Sequence, residues 1–221
     1  YKLSLILIIV IKSYSITLSH DDWSFYTDRF KDEAYIRIIS RTPSISSFTV
    51  NIIGVIYARD RQTFNEVSKV IRGYPKVLNF DIINLKAGKD YVIGTYSSIE
   101  RLDGRIASLL FNRGIFNMKE EIRDGIEKWR VVSQPSSFKD ILPSLKEMTN
   151  YLKVDEENYT IEELTPKERE MLNLALERGY FDEPRRVGLY QLSEHAGITK
   201  VAVMKTLRKA LRKLVMKELS D

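Results

Sequence analysis

The last quarter of the chain contains a stretch, residues 199–217, in which no acidic residue occurs. Apolar residues recur along it every three or four positions, and this spacing places them on one face of an α-helix. The helix therefore requires a core on one side and exposes a cationic surface on the other. The apolar positions are Val203, Leu207, Leu211 and Leu214, and the basic positions are Lys200, Lys205, Arg208, Lys209, Arg212, Lys213 and Lys217.

A capping motif predicts an earlier helix in the same region. Thr165 and Glu168 have the spacing of a capping box, and Pro166 occupies the first helical position, where its missing N–H costs nothing. The following residues, from Met171 to Leu176, supply an apolar face. Gly179 then ends the helix, because glycine adopts the left-handed conformation that helix ends favour.

A short helix is predicted between these two. It covers Leu189–His195, and Leu192 faces inward. Gly197 permits a tight turn, Ile198 points into the core, and Thr199 caps the next helix. The sequence therefore predicts a compact unit of three helices, with a tight turn between the second and the third.

The four segments Leu164–Glu170, Glu177–Phe181, Pro184–Arg186 and Leu192–Ile198 together resemble the bacterio-opsin-activator-type helix-turn-helix of archaeal regulators. Leu207–Leu214 is similar to the closing part of that family's pattern. The aromatic-Pro-Arg loop makes the resemblance specific, because generic helix-turn-helix proteins lack it. The resemblance covers about 55 residues, a quarter of the chain. It implies transcription regulation in an archaeon, with an N-terminal sensing domain that varies among members.

In this motif class the third helix enters the major groove of DNA with its N-terminal end. Thr199, Lys200, Val201, Met204 and Lys205 are therefore the predicted residues near base edges. The lysines would donate to guanine, and Val201 and Met204 would touch a thymine methyl group. The other predicted DNA contacts are two arginines of the aromatic loop and the basic residues further along the helix, where phosphates are expected. They are Arg185, Arg186, Arg208, Lys209, Arg212 and Lys213.

The first 155 residues alternate between β-branched apolar runs and helical patterns. Both halves follow the order β-α-β-β-α-β of the ferredoxin-like unit. The predicted fold class is therefore α+β, with a duplicated ferredoxin-like N-terminal pattern and an all-α C-terminal domain. Whether residues 1–155 form one domain or two units, 1–88 and 89–155, is left open. Within this part, Ser98–Asn112 is predicted to be a helix.

The most apolar run of the chain is Leu3–Ile11. It has about half the ~20 residues that a membrane-spanning helix needs, so we interpret Leu3–Leu18 as a long buried strand. Residues 156–164, which are rich in glutamate, are predicted to be a linker, and residues 165–221 to be the helix-turn-helix domain. We expect no membrane partner and a cytoplasmic location.

The net charge of +5 is unevenly distributed. Residues 165–221 contain 12 of the 35 Lys/Arg residues but only 8 of the 30 Asp/Glu residues, whereas residues 1–164 are almost neutral. Such an asymmetry favours a polyanion-binding end of the chain.

The residue types needed for other chemistry are scarce. The chain has no cysteine and two histidines, His20 and His195, so we predict no metal, no cofactor and no catalytic site. His20 is interpreted as a neighbour of a helix cap, together with Asp21 and Asp22. His195 and Ser193 depart from the family pattern without an expected loss of fold.

These observations favour a transcriptional regulator that binds double-stranded DNA, with an N-terminal domain for sensing or oligomerisation. We expect a homodimer that responds either to a small-molecule effector or to a partner. Two other classes remain as alternatives: an enzyme with an accessory helix-turn-helix, and an architectural DNA-binding protein. A three-helix module that contacts only proteins is disfavoured by the acid-free basic helix. The sequence does not specify the operator, the effector or the sign of regulation.

Overall fold

A computed structural model describes residues 10–44, 46–102, 105–157 and 163–219. The chain divides into two compact units, residues 1–159 and residues 160–221. Within the described ranges, no helix combines the length and the apolar character needed to cross a membrane.

Eight strands of the first unit form one antiparallel sheet in the order β4-β5-β3-β2-β6-β7-β1-β8. The large antiparallel sheet and the separate C-terminal helices agree with the mixed class predicted from the sequence. The strands are β1 (Lys12–Ser19), β2 (Ala34–Ser44), β3 (Thr49–Ala58), β4 (Val77–Ala87), β5 (Val92–Arg101), β6 (Phe116–Arg123), β7 (Ile126–Ser133) and β8 (Tyr151–Glu157).

The first strand of each half of the chain lies in the other half of the sheet. β1 pairs with β7 and β8, whereas β5 pairs with β3 and β4. Residues 1–88 and 89–155 therefore do not each form a sheet of their own. The two halves of the sheet meet where β2 pairs with β6, through only three registered residue pairs.

The helices of this unit are a 3₁₀ helix at Phe25–Phe30 and the α-helices α1 (Arg61–Gly73), α2 (Ile106–Asn112) and α3 (Pro135–Met148). Phe64 of α1 lies directly over Gly94, where a Cβ atom would be 2.4 Å from its ring. Tyr14 of β1 stacks on Phe138 of α3 at 3.7 Å. One row of paired, buried residues crosses the sheet from β5 to β1. Its members are Gly94, Ile56, Ile36, Ile122, Glu127 and Leu18. Phe64 of α1 lies over Gly94 at one end, and Tyr14, which stacks on α3, shares the face of Leu18 at the other, so α1 and α3 cover the same face of the sheet.

Three sequence predictions need correction in this unit. The predicted helix Ser98–Asn112 begins only at Ile106, because Ser98 to Arg101 belong to β5. The predicted linker begins too early, since β8 continues to Glu157; the residues 158–162 lie outside the described part. The predicted long buried strand Leu3–Leu18 is observed only from Lys12, because Val10 and Ile11 precede β1 and are 58% and 48% exposed; residues 1–9 also lie outside the described part.

The second unit consists of α4 (Pro166–Glu177), α5 (Leu189–Ala196) and α6 (Lys200–Leu219). These are the three helices predicted from the sequence. Met171 and Ala175 of α4, Leu192 of α5, and Val203 and Leu207 of α6 form the buried core.

Candidate nucleic-acid interface

The capping box at the start of α4 fixes the position of this helix. The Thr165 side chain accepts a hydrogen bond from the Glu168 backbone N–H at 3.2 Å, and Glu168 Oε2 accepts from the Thr165 N–H at 2.9 Å. The same carboxylate receives a hydrogen bond from Lys213 Nζ at 2.8 Å. The Lys213 ammonium and the backbone donor hold the pKa of Glu168 below its usual value. The beginning of α4 is thus tied to the later turns of α6.

The turn between α5 and α6 is built as its glycine and threonine predict. Gly197 has φ +63°, the left-handed conformation that ends α5 without strain. Thr199 Oγ1 accepts a hydrogen bond from the Ala202 N–H at 3.2 Å, and its carbonyl accepts from Val203. Because Thr199 caps α6 in this way, the first turn of α6 begins at the surface next to α5.

The outer face of α6 carries a row of exposed residues that repeats every three or four positions. The row consists of Val201, Lys205, Arg208 and Arg212, and Val201 is 55% exposed. The opposite face contains Val203, Leu207 and Ala210, which are 0–3% exposed. The inward face is thus fixed by packing, and the cationic row points to solvent. Lys200 and Lys209 are also exposed, whereas Met204 is half-buried at the edge of this face.

The loop between α4 and α5 places its two arginines differently. Arg185 lies over the Tyr180 ring at 5.0 Å, and this ring meets Phe181 edge-on at 5.2 Å. Arg186 Nε donates to Asp182 Oδ2 at 2.6 Å, yet its side chain remains 66% exposed. Both guanidinium groups are held near the surface of the unit and are accessible to an anion.

The surroundings of three residues on α6 differ from those expected from the sequence. Lys213 was predicted to contact phosphate, but its ammonium is in an ion pair with Glu168 on the α4 side of the helix. Leu211 and Leu214 were predicted to pack inward, but they are 38% and 41% exposed. The inward stripe continues instead through Ala210, because the three-helix core ends near this residue.

Tyr190 is a surface residue that the sequence interpretation did not single out. It occupies the first turn of α5 and is 66% exposed. An exposed tyrosine in the first turn of a helix lies near the free backbone N–H groups that can bind a phosphate. Its position two residues after the helix-starting Gly188 was the signal available in the sequence.

A trihelical unit with a left-handed glycine turn and an exposed cationic third helix has the architecture of a helix-turn-helix DNA-binding domain. Residues 164–216 match the family model described as an HTH DNA binding domain, of the bacterio-opsin-activator type. The resemblance noted in the sequence is therefore confirmed for this region, and the domain indicates a DNA-binding transcriptional regulator. No curated protein matches the chain.

The first unit contains a second notable group of side chains, a buried charged cluster between the sheet and its helices. Arg41 stacks on Trp129 at 5.2 Å, and Trp129 Nε1 donates to Glu127 Oε2 at 2.7 Å. His20 Nε2 lies 3.1 Å from the other oxygen of Glu127. His20 is thus a buried member of this cluster and not the neighbour of a helix cap that the sequence suggested.

The cluster continues from His20 to a second arginine. Asp22 lies 3.4 Å from Arg105, which also forms an ion pair with the fully buried Glu100. The Tyr96 hydroxyl is buried as well, with no hydrogen-bond partner among the described residues. No three His, Asp or Glu side chains of the described ranges are grouped as metal ligands would be.

Burial and charge shift the acidity of this cluster in known directions. Burial raises the pKa of Asp22 to about 6, against the opposing effect of Arg105. Burial also acts on Glu127, but the hydrogen bond and charge of His20 prevail and lower its pKa to about 2. Burial alone would lower the pKa of His20, yet its hydrogen bond to Glu127 raises it above the usual value. His20 and Glu127 are therefore best described as a buried ion pair.

Proposed function

We propose that this protein is a sequence-specific transcriptional regulator in which α6 reads the major groove of DNA. The observation that carries the proposal is the exposed row Val201, Lys205, Arg208 and Arg212, which lies opposite the packed face of α6. A helix with one face fixed in a core and the other cationic and exposed is suited to enter the groove. The acid-free sequence of the row removes repulsion from phosphates.

Different parts of the interface have different roles in this proposal. The first turns of α6, with Lys200, Val201 and Lys205, contact base edges, because the N-terminal end of the recognition helix enters the groove. Arg208, Lys209 and Arg212 meet phosphates, together with Arg185 and Arg186 of the loop. Lys213 is left out of the interface, because Glu168 already holds it.

The first unit acts in this proposal as the sensing and oligomerisation domain. We infer that it consists of two ferredoxin-like repeats whose first strands are exchanged. Strand orders β4-β5-β3-β2 and β8-β1-β7-β6 support this, since each has the 4-1-3-2 order of that unit once β1 and β5 are interchanged. Because each repeat contributes its first strand to the other, we expect a structural change in one repeat to alter the other.

The buried charged cluster is the region of this unit that we propose responds to a small-molecule effector or to protonation. It lies close to the seam between the two halves, where Arg41 of β2 and Trp129 of β7 stack. Its Tyr96 hydroxyl lacks a hydrogen-bond partner among the described residues, so it has unused capacity to donate. A buried polar group without a hydrogen-bond partner costs stability, so a ligand or proton that satisfies it would stabilise this part of the unit.

Selection of bound duplexes from a random library by the full chain tests the DNA-binding role directly. We expect a recurring sequence motif and an affinity that falls steeply with salt. Arg208→Glu should abolish the enrichment, whereas Lys146→Glu, an equal charge reversal on the exposed face of α3, should not. Recovery of random sequence by the unmodified chain would overturn sequence-specific reading. Equal effects of the two variants would show that net charge alone drives binding.

A further inference from the structure

The last turns of α6 carry an apolar strip that no other part of residues 163–219 covers. Leu211, Leu214 and Val215 are 38%, 41% and 51% exposed, although they follow directly on the fully buried Ala210. On an α-helix these three positions fall on one side, within about 100° of each other. Three adjacent apolar side chains on one exposed helix face are more than isolated surface residues.

The strip continues the pattern by which α6 packs in its own core. Met204, Leu207, Leu211 and Leu214 follow one another at spacings of three, four and three residues, which is the spacing of a coiled-coil seam. In the first half of this seam, Leu207 is 3% exposed and packs in the core with α4 and α5, while Met204 is half-buried. The second half has the same spacing without a covering helix among residues 163–219.

Two lysines on the last turns of α6 are already paired within the second unit. Glu168 in the first turn of α4 holds Lys213, and Glu163 just before α4 holds Lys217, so both lysines repel a similar helix less. Lys213 Nζ lies 2.8 Å from Glu168 and Lys217 Nζ lies 3.0 Å from Glu163. Their charges are thus partly neutralised within the same unit, and the apolar side remains available.

We propose that the strip is the contact between two copies of this chain bound side by side on DNA. The two α6 helices pack antiparallel about a two-fold axis that passes between Arg212 and Lys213. Leu211 and Leu214 of one copy then face the same residues of the other. An antiparallel pair about a two-fold axis is the simplest closed arrangement for identical helices. The inference rests on the proposed function, because DNA brings the two copies together.

The length of α6 supports a second copy as the occupant. The base-reading segment, residues 200–205, is centred about ten residues from this axis. At a rise of 1.5 Å per residue, the antiparallel arrangement separates the two reading segments by roughly 28–35 Å. One turn of B-DNA is about 34 Å long, the distance at which two half-sites face the same side of the duplex.

The directions of the two surfaces are also compatible. At 100° per residue, the row from Val201 to Arg212 and the strip from Leu211 to Val215 are about a quarter-turn apart on α6. A helix can therefore contact DNA with one side while it packs against its two-fold mate with the adjacent side. A few side chains per copy make a contact well below the standard size for stable complexes. The pairing is accordingly expected on DNA and not in dilute free protein.

The first test is the arrangement of the sites that the full chain selects from random duplex DNA. We expect inverted repeats with centres about 8 to 10 base pairs apart, bound cooperatively. Inserting about five base pairs between the half-sites turns them to opposite sides of the duplex and should abolish cooperativity. Selection of single, unpaired sites, or cooperativity that is unchanged by the insertion, would overturn the proposal.

The second test uses the strip itself. The double variant Leu211→Gln/Leu214→Gln should bind a single half-site within about twofold of the unmodified chain, yet lose cooperative binding to the paired site by about tenfold or more. Leu176→Gln is the matched control, because Leu176 is a 62% exposed leucine on α4 of the same unit. Far-UV circular dichroism verifies that both variants keep their helices.

The outcomes separate the two proposals. If the unmodified chain binds no duplex specifically, the proposed function fails and the pairing fails with it. If the chain binds half-sites specifically but the double variant remains as cooperative as the control, only the pairing through α6 is overturned.

Discussion

Arg41 and Glu120 form a two-point ion pair at the place where strands β2 and β6 stop pairing. Arg41 Nε lies 2.7 Å from Glu120 Oε2, and a second guanidinium nitrogen contacts the other carboxylate oxygen. The last registered backbone pair between the two strands is Ile38–Glu120, and β2 has a register shift immediately afterwards. Where β2 and β6 meet, a short ladder is thus followed at once by a buried ion pair.

Glu120→Ala is expected to destabilise the first unit by ~3–5 kcal/mol. The side chains of Arg41 and Glu120 are 7% and 0% exposed, so the variant leaves an uncompensated charge in the interior. Urea denaturation followed by tryptophan fluorescence measures the loss, because both tryptophans, Trp23 and Trp129, are buried in the first unit.

Glu121→Ala is the matched control for this variant. Glu121 is the next residue on β6, points to the opposite face and forms a partly exposed ion pair with Lys119. Its replacement should cost less than about 1 kcal/mol. Equal losses for the two variants would show that the seam does not depend on the buried pair.

The stability of the first unit should decrease as the pH rises from about 5 to 8. The pKa of His20 is raised in the folded state, so its contribution is complete below its unfolded pKa of about 6.5 and is lost above the folded pKa. Asp22 has a folded pKa of about 6 against 3.8 and acts in the same direction between these values. Urea midpoints at several pH values measure the slope.

The two histidines of the chain provide the control for this pH effect. His20→Gln should flatten the slope above pH 6.5, whereas His195→Gln should leave it unchanged, because His195 is exposed on α5. At acid pH, Glu127 also contributes, because its pKa of about 2 in the folded state lies below its usual value. Its protonation should lower the free energy of unfolding of the first unit by on the order of 3 kcal/mol as the pH falls from 5 to 2. If the slope above pH 6.5 persists in His20→Gln, His20 is excluded as its source.

Local signals in the sequence predicted the second unit well. Thr165, Pro166 and Glu168 mark the start of α4, and Gly197 and Thr199 mark the turn before α6. Each of these residues acts within a few positions of itself, so its effect can be inferred without the tertiary structure. The same reasoning identified the exposed basic residues, because helix periodicity sets which side faces out.

The first unit depends on contacts that no local pattern encodes. Ser98 and Glu100 resemble the start of a helix, yet they belong to β5, where Ser98 donates to Glu100 and Glu100 pairs with Arg105. The exchange of β1 and β5 between the halves of the sheet also has no sequence signature. Likewise, Lys213 was assigned to phosphate because periodicity does not reveal the Glu168 carboxylate of another helix.

Lys213→Ala should mainly reduce the stability of the second unit, whereas Arg212→Ala should mainly reduce its affinity for DNA. Lys213→Ala removes a partly buried ion pair to Glu168, so we expect a loss of about 0.5–1 kcal/mol in the stability of the second unit. Its effect on duplex affinity should be small. Arg212→Ala should leave thermal stability almost unchanged, because its side chain is exposed, while weakening binding to all duplexes. Thermal melts by circular dichroism and salt-dependent binding measure the two quantities, and a reversed pattern would restore Lys213 as a phosphate contact.

Lys205→Ala should reduce specificity more than general affinity. Lys205 lies on the outer row of α6 one turn from its N-terminal end, where Thr199 fixes the helix start. A lysine there can donate to guanine O6 and N7, so its loss should cost ~1–3 kcal/mol on the selected operator and much less on random DNA. Competition binding on the two duplexes measures the difference, with Lys209→Ala as the control for a phosphate contact. Because a phosphate contact carries no base information, Lys209→Ala should weaken both duplexes equally and lower the salt slope by about 1. Equal losses on operator and random DNA for Lys205→Ala would place this lysine at a phosphate and move base reading to another part of the row.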